Sequence, residues 1–395
     1  MSSFLLVVPP LVGHITPLVA VADELAARGH RVAWSGEPSL VRALAGPEAE
    51  VHPALGPPLG ADQGLGLRGY AAARFLWEDF LVPLAEATHE SVADAAKRVD
   101  ADLLVCDMQA LAGPLAGARL GIPWVTSAST SGSLRDPFTA TPQVRRWLDD
   151  LFAGLIARCC PRPAVALTPA TLERSPLLVL AFTTEALAGP AEPSGAPTAW
   201  VGPALRQPGA GPDDQFPWAW LDPAAALVVV SLGTVNAPVG ARFLRACVDA
   251  LGQLRGAQAA IADPSGALTA VPDNVLVRPR LPMLPLLSHA AAVVCHAGHN
   301  TVCEALAHDV PLVVAPIRDD QPIVAQQVVD AGAGIRLHFG RATADLVAAA
   351  VVDVLGRARY RKAAEAVGAS LRTAGGAGAA ADHVEAVVRE AGRRR

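Results

Sequence analysis

The stretch that most constrains this chain is residues 290–304, where one side-chain periodicity gives way to another. Ala290–Cys295 is an unbroken apolar run, with the length and composition of a strand buried on both faces. It stops at His296-Ala297-Gly298, and Val302, Ala305 and Leu306 then recur at helical spacing. A buried strand, a tight glycine turn and a helix start form the repeating unit of a parallel α/β sheet. The N–H groups and dipole of such a helix start favour an anion. Asn300 and Thr301 stand in the first turn, and Glu304 lies one turn beyond Asn300 on the same side. A histidine, an amide and a hydroxyl beside that helix start suit a diphosphate. Taken alone, the same residues read as an N-cap and a strand-end histidine.

The next apolar run, 311–316, tips the balance toward a site. It ends in Asp319-Asp320-Gln321, again at a carboxyl end, and in a parallel sheet those ends line the ligand crevice. A carboxylate and a carboxamide there can hold the vicinal hydroxyls of a sugar. His296, Gly298, Asn300, Thr301, Glu304, Pro311, Pro316, Asp320 and Gln321, in this order and spacing, resemble the nucleotide-sugar signature of the UDP-glycosyltransferase superfamily. The nearest likeness is to bacterial natural-product and carotenoid glycosyltransferases. The resemblance implies the α/β GT-B fold, two Rossmann-like doubly wound parallel-sheet domains facing across a cleft.

Size and composition agree with that. The 395 residues predict two domains, and 52% hydrophobic residues are enough for two cores. A net charge of −5 argues against nucleic acid as a partner. The six cysteines have no zinc spacing and sit in apolar contexts, which reads as buried free thiols. Residues 1–20 lack a basic leader segment and contain three prolines, and no apolar run reaches the length of a membrane span. A reducing, cytoplasmic setting is therefore expected. Residues 1–206 read as an N-terminal acceptor-binding domain and 207–217, rich in Pro, Gly and Asp, as the linker. Residues 218–378 read as the nucleotide-sugar domain, and 379–395 as a terminal helix that in this fold crosses back to the first domain.

In the first domain, residues 4–8 read as a strand and 9–13 as a turn, with Pro17 near the start of a helix reaching Arg28. That places His14 at the carboxyl edge of the first strand. Gly13-His14 with Pro17 resembles the family's N-terminal catalytic histidine motif, and Gly13 is expected to approach the donor. A further strand, 103–106, ends at Asp107. By itself Asp107 reads equally as a helix cap; the resemblance implies that it pairs with His14. The formal GxGxxG at 64–69 follows prolines rather than a strand, so it is not a dinucleotide fingerprint. Phe75, Trp77 and Phe80 lie on a helix over 70–98 that borders the acceptor site in the family. Most of these aromatics read as core; with Phe138, in a turn-rich loop over 127–142, they are the candidates for touching an apolar acceptor.

In the second domain, Gly233 and Thr234 follow a strand where the family has a small-residue turn near the diphosphate. Arg280, Pro282 and Met283 stand where plant relatives carry Trp-Ala-Pro-Gln, so a guanidinium replaces the indole that stacks on the base. The resemblance implies an inverting, nucleotide-sugar-dependent hexosyltransferase. His14 is its base, Asp107 its orienting carboxylate, Glu304 the ribose contact, and Asp320 with Gln321 the hexose contact. The co-substrate is UDP- or dTDP-linked, the acceptor is a hydrophobic small molecule, and neither a metal nor another cofactor is expected. Two rival readings remain, a non-catalytic GT-B partner protein and a nucleotide-sugar epimerase.

Overall fold

The computed structural model describes residues 1–57, 64, 66–190, 197–206, 216–233 and 237–393. The chain divides into two compact units, one of Met1–Glu185, Pro190–Arg206 and Ala374–Arg395, the other of Ala186–Gly189 and Gln207–Thr373. The boundary at 374 lies a few residues before the expected 379. The 207–217 segment falls, save its last two residues, outside the described residues.

The first unit holds seven strands: β1 (Ser3–Val7), β2 (Arg31–Gly36), β3 (Val51–Pro53), β4 (Leu103–Asp107), β5 (Trp124–Ala128), β6 (Val179–Ala181) and β7 (Thr198–Trp200). All pair in parallel, in the order β3-β2-β1-β4-β5-β6-β7. Side chains alternate between faces as a strand requires. Leu5, Val7, Leu104 and Cys106 meet the helices Val82–Arg98, Ala112–Leu120 and Pro142–Cys159. Phe4, Leu6, Val8, Leu103 and Val105 meet the helices Val12–Ala27 and Gly376–Arg393. Both faces are covered, which is why these strands read as continuous apolar runs. The terminal helix enters through Gly375 and Gly376, both at positive φ, and Gly376 N–H donates to the Val201 carbonyl at 2.7 Å. Arg28 then ties it to Asp382 at 2.6 Å.

The second unit has six parallel strands: β8 (Ala226–Ser231), β9 (Ala257–Ala262), β10 (Val275–Arg278), β11 (Ala290–Cys295), β12 (Leu312–Val314) and β13 (Gly334–Arg336), ordered β10-β9-β8-β11-β12-β13. Val228, Val230, Ile261, Val294 and Val313 pack under the helices Ala237–Gly252 and Ala344–Gly356.

Three local expectations change. The first helix begins at Val12, so Pro17 lies inside it. The helix continues through Pro17, which forgoes the bond its N–H would have made to the Gly13 carbonyl. β3 and β7, three residues each, lie where no strand was expected. Runs that short carry almost no periodicity; pairing with a neighbour makes them strands. The aromatic part of the 70–98 helix is π-helical over Phe75–Leu81. All six cysteines are free and buried. No helix among the described residues is long and apolar enough to cross a membrane.

Candidate active site

Each sheet reverses its strand order once, between β1 and β4 in the first unit and between β8 and β11 in the second. At such a point the following helices depart to opposite faces and leave a crevice at the carboxyl edge. The helix after β1 joins one core and the helix after β4 the other, so the first crevice is flanked by the loops carrying His14 and Asp107.

His14 sits in the first turn of Val12–Ala27, and its Nδ1 lies 2.9 Å from Oδ1 of Asp107. The carboxylate is fully buried, with 0% side-chain exposure against 17% for the imidazole. Asp107 Oδ1 also accepts the Gln109 N–H at 2.9 Å. A third residue completes the group. Ser129 Oγ donates to Asp107 Oδ2 at 2.7 Å and lies 2.7 Å from His14 Nδ1. With a carboxylate and a hydroxyl oxygen at Nδ1, the proton resides there and the basic lone pair is on Nε2. In the sequence Ser129 is one of several hydroxyl residues in the turn-rich 127–142 loop. The available signal was its place one residue past β5, the strand beside β4.

At the second reversal, His296 follows β11 and Gly233 follows β8. The imidazole lies between two glycines. A Cβ on Gly298 would stand 2.5 Å from its Nε2, and one on Gly233, at φ +69°, 3.0 Å from its Cε1. Ala297 between them is left-handed, at φ +65°. Gly298 is the N-cap of the helix His299–Ala307 and has no side chain to cap the first-turn N–H groups. Asn300 and Thr301 follow in that turn, as expected. Burial pulls His296 down from 6.5 to about 4, against Asp320 and a hydrogen bond to the Ser231 backbone, which raise it, and with a smaller push from Arg318 in the same direction as burial. The imidazole is therefore neutral at pH 7. Glu304 is partly exposed, yet burial of its carboxyl pushes it up to about 7.

Asp320 occupies the N-cap position of the helix Gln321–Asp330. Gln321 is used differently from expectation. Its side chain is buried, and its Oε1 accepts the N–H groups of Ile317 at 2.9 Å and Arg318 at 3.1 Å. That oxygen shapes the loop, leaving the NH₂ end as the part able to meet a ligand. Arg280 is exposed just beyond β10, and Pro282 caps the short helix Met283–Leu287. Thr234 lies outside the described residues.

Trp77 turns into the core and meets Phe152 edge-on at 5.2 Å, and Phe138 packs against the same core. Phe75 stands against Gly64. Phe80 joins a small cluster with Leu81 and Leu84, against which Leu76, Trp77 and Leu11 also pack, and Leu11 caps the helix that bears His14. Among the described residues no group of three or more His, Cys, Asp or Glu side chains is arranged to hold a metal.

Comparison with known proteins agrees with this architecture. Residues 249–377 match the family described as erythromycin biosynthesis protein CIII-like, C-terminal domain. The chain is 26% identical to the uncharacterized UDP-glucosyltransferase YojK of Bacillus subtilis, over 99% of this chain and 98% of the relative. It is 29% identical to the demethyllactenocin mycarosyltransferase of Streptomyces fradiae, over 96% and 85%. The solved spinosyn rhamnosyltransferase SpnG, complexed with spinosyn aglycone, superposes with a TM-score of 0.73 at 25% identity, over 96% and 99%. The chain has the GT-B fold, and its full-length relatives are glycosyltransferases, several from natural-product pathways.

Proposed function

We propose that this protein is an inverting glycosyltransferase that moves a hexose or deoxyhexose from a UDP- or dTDP-sugar to a hydroxyl of an apolar natural product, without a metal. The reading rests above all on the hydrogen-bonded set His14, Asp107 and Ser129. It leaves Nε2 as a base with its tautomer held, which is what deprotonating an attacking hydroxyl requires. Asp107 balances the imidazolium that forms.

The second unit's carboxyl edge supports the donor assignment. Arg280, Pro282 and Met283 follow β10, the glycine–imidazole group follows β8 and β11, and Asp320 follows β12. From β10 to β12 is four strand spacings, about 19 Å, the scale of an extended nucleotide sugar. Base, diphosphate and hexose then lie in that order along one edge. A departing diphosphate is stabilised by the helix start at Gly298, with the His296 imidazole beside it, so no acidic residue has to protonate it. Glu304 takes the ribose hydroxyls, and the Gln321 NH₂ joins Asp320 on the hexose.

The test is a panel of UDP- and dTDP-sugars against aromatic polyketide, macrolide and terpenoid acceptors, following nucleoside diphosphate release and the mass of the product. Acceptor-dependent release with a glycosylated product of inverted anomeric configuration is expected. Release without acceptor, epimerised donor, or donor binding with no turnover on any acceptor would each overturn the reading.

A further inference from the structure

We propose that Arg318 is a donor-binding residue, its guanidinium meeting the charge of the diphosphate as it leaves. The inference rests on the donor-site reading above and adds a residue that no part of that reading uses.

Arg318 lies in the loop between β12 and the helix Gln321–Asp330. β12 is hydrogen-bonded directly to β11, with Cys295 opposite Val314, and Ala315 N–H continues the ladder to the Cys295 carbonyl at 2.8 Å. His296 and the 317–321 loop therefore leave neighbouring strand ends. The loop is fixed from within. Gln321 Oε1 accepts two of its N–H groups, Gln321 N–H donates to the Arg318 carbonyl at 3.2 Å, and Asp319 is left-handed at φ +54°. Held this way, the Arg318 side chain is only 10% exposed. Its acidic neighbour Asp319 is 41% exposed and lies 3.5 Å from Nε. The guanidinium also acts on the His296 imidazole, the ring at the centre of the proposed diphosphate site.

A cation is needed there. His296 is neutral at pH 7, and a helix start offers about half a charge. When the C1–O bond breaks, its electron pair stays on the phosphate oxygen, while the acceptor oxygen bonds to C1 and passes its proton to His14. The second unit must meet that new negative charge. A guanidinium is the side chain best suited to it, because its planar fork bonds two phosphate oxygens at once.

The experiment is calorimetric titration of wild type, Arg318→Gln, Arg318→Met and Arg318→Lys with UDP, dTDP and UMP, with circular dichroism melts to establish folding. The two neutral variants are expected to bind UDP and dTDP about 10-fold or more weakly and UMP within about 3-fold, with lysine recovering part of the loss. Arg318→Gln or Arg318→Met binding UDP and dTDP as wild type does would overturn the proposal. So would equal losses for UMP and UDP, which would make Arg318 a clamp on its loop. If neither neutral variant folds, Arg318→Lys decides: the forked geometry predicts a loss confined to the diphosphates, and no loss overturns it. Wild type that binds none of the three nucleotides would instead bring down the donor-site reading itself.

Discussion

His14 Nδ1 and Asp107 Oδ1 lie 2.9 Å apart although 93 positions separate them in the chain. The pairing follows from the sheet. β1 and β4 are adjacent parallel strands with Val7 opposite Cys106, so whatever follows one strand stands beside whatever ends the other. If this pair is the base, His14→Ala lowers kcat by about 10²–10⁴ while UDP affinity stays near wild type. Asp107→Asn loses tautomer control and is expected to be nearly as severe. Initial rates and nucleotide titration on the same preparations check both.

Ser129 contacts both members of the pair. If His14 is the base, Ser129 orients rather than reacts, and Ser129→Ala should cost about 3- to 30-fold in kcat, well short of His14→Ala. Ser129→Thr, which keeps the hydroxyl, should recover most of it. A full loss in the alanine variant would mean the hydroxyl takes part directly.

Glu304 and His296 pull acid stability in opposite directions. Burial raises Glu304 from 4.5 to about 7, so its favourable neutral form is fully present below pH 4.5 and is lost as pH rises through 7. His296 is lowered from 6.5 to about 4, so its contribution is full above pH 6.5 and is lost as pH falls toward 4. Each shift is worth on the order of 3 kcal/mol at most, and the two offset each other between pH 4.5 and 6.5. Glu304→Gln removes one of them. The variant's Tm should climb across that window where the wild-type contribution is nearly level. Parallel Tm profiles would contradict a buried, uncompensated carboxyl.

The backbone around His296 should tolerate little. Ala297 is fully buried and at φ +65°, so Ala297→Gly trades a methyl contact for relief of strain and should stay within about 1 kcal/mol of wild type. Ala297→Val, β-branched in that conformation, should lose more than about 2 kcal/mol. Gly298→Ala puts a methyl 2.5 Å from Nε2 of His296, so the ring must move. UDP affinity is expected to drop about 10-fold with a smaller change in Tm. Denaturant melts and titration separate the two effects.

The proposed reaction draws its electrostatic stabilisation from backbone N–H groups and side chains. Turnover should therefore survive prolonged EDTA treatment, and added Mg²⁺ or Mn²⁺ should change the rate less than about twofold. Abolition by EDTA, restored by one divalent ion, would require a metal at the diphosphate.

What the chain alone determined is local. Apolar runs such as Ala290–Cys295 carry their burial in their composition, and the switch to helical spacing at Val302 marks a strand–turn–helix unit wherever it sits. Parallel strands point one way, so residues at or after strand ends, His14, Asp107, His296 and Asp320 among them, could be assigned to a sheet edge from the sequence. Tertiary structure decided what happens across that edge. Ser129 joins His14 and Asp107 only because β5 lies beside β4. Gln321 spends its oxygen on its own loop, and Trp77, one of the aromatics that mostly read as core, turns inward to Phe152. Periodicity records which side of an element is apolar; hydrogen-bond partners depend on which strands are neighbours, and that is set by the whole sheet at once.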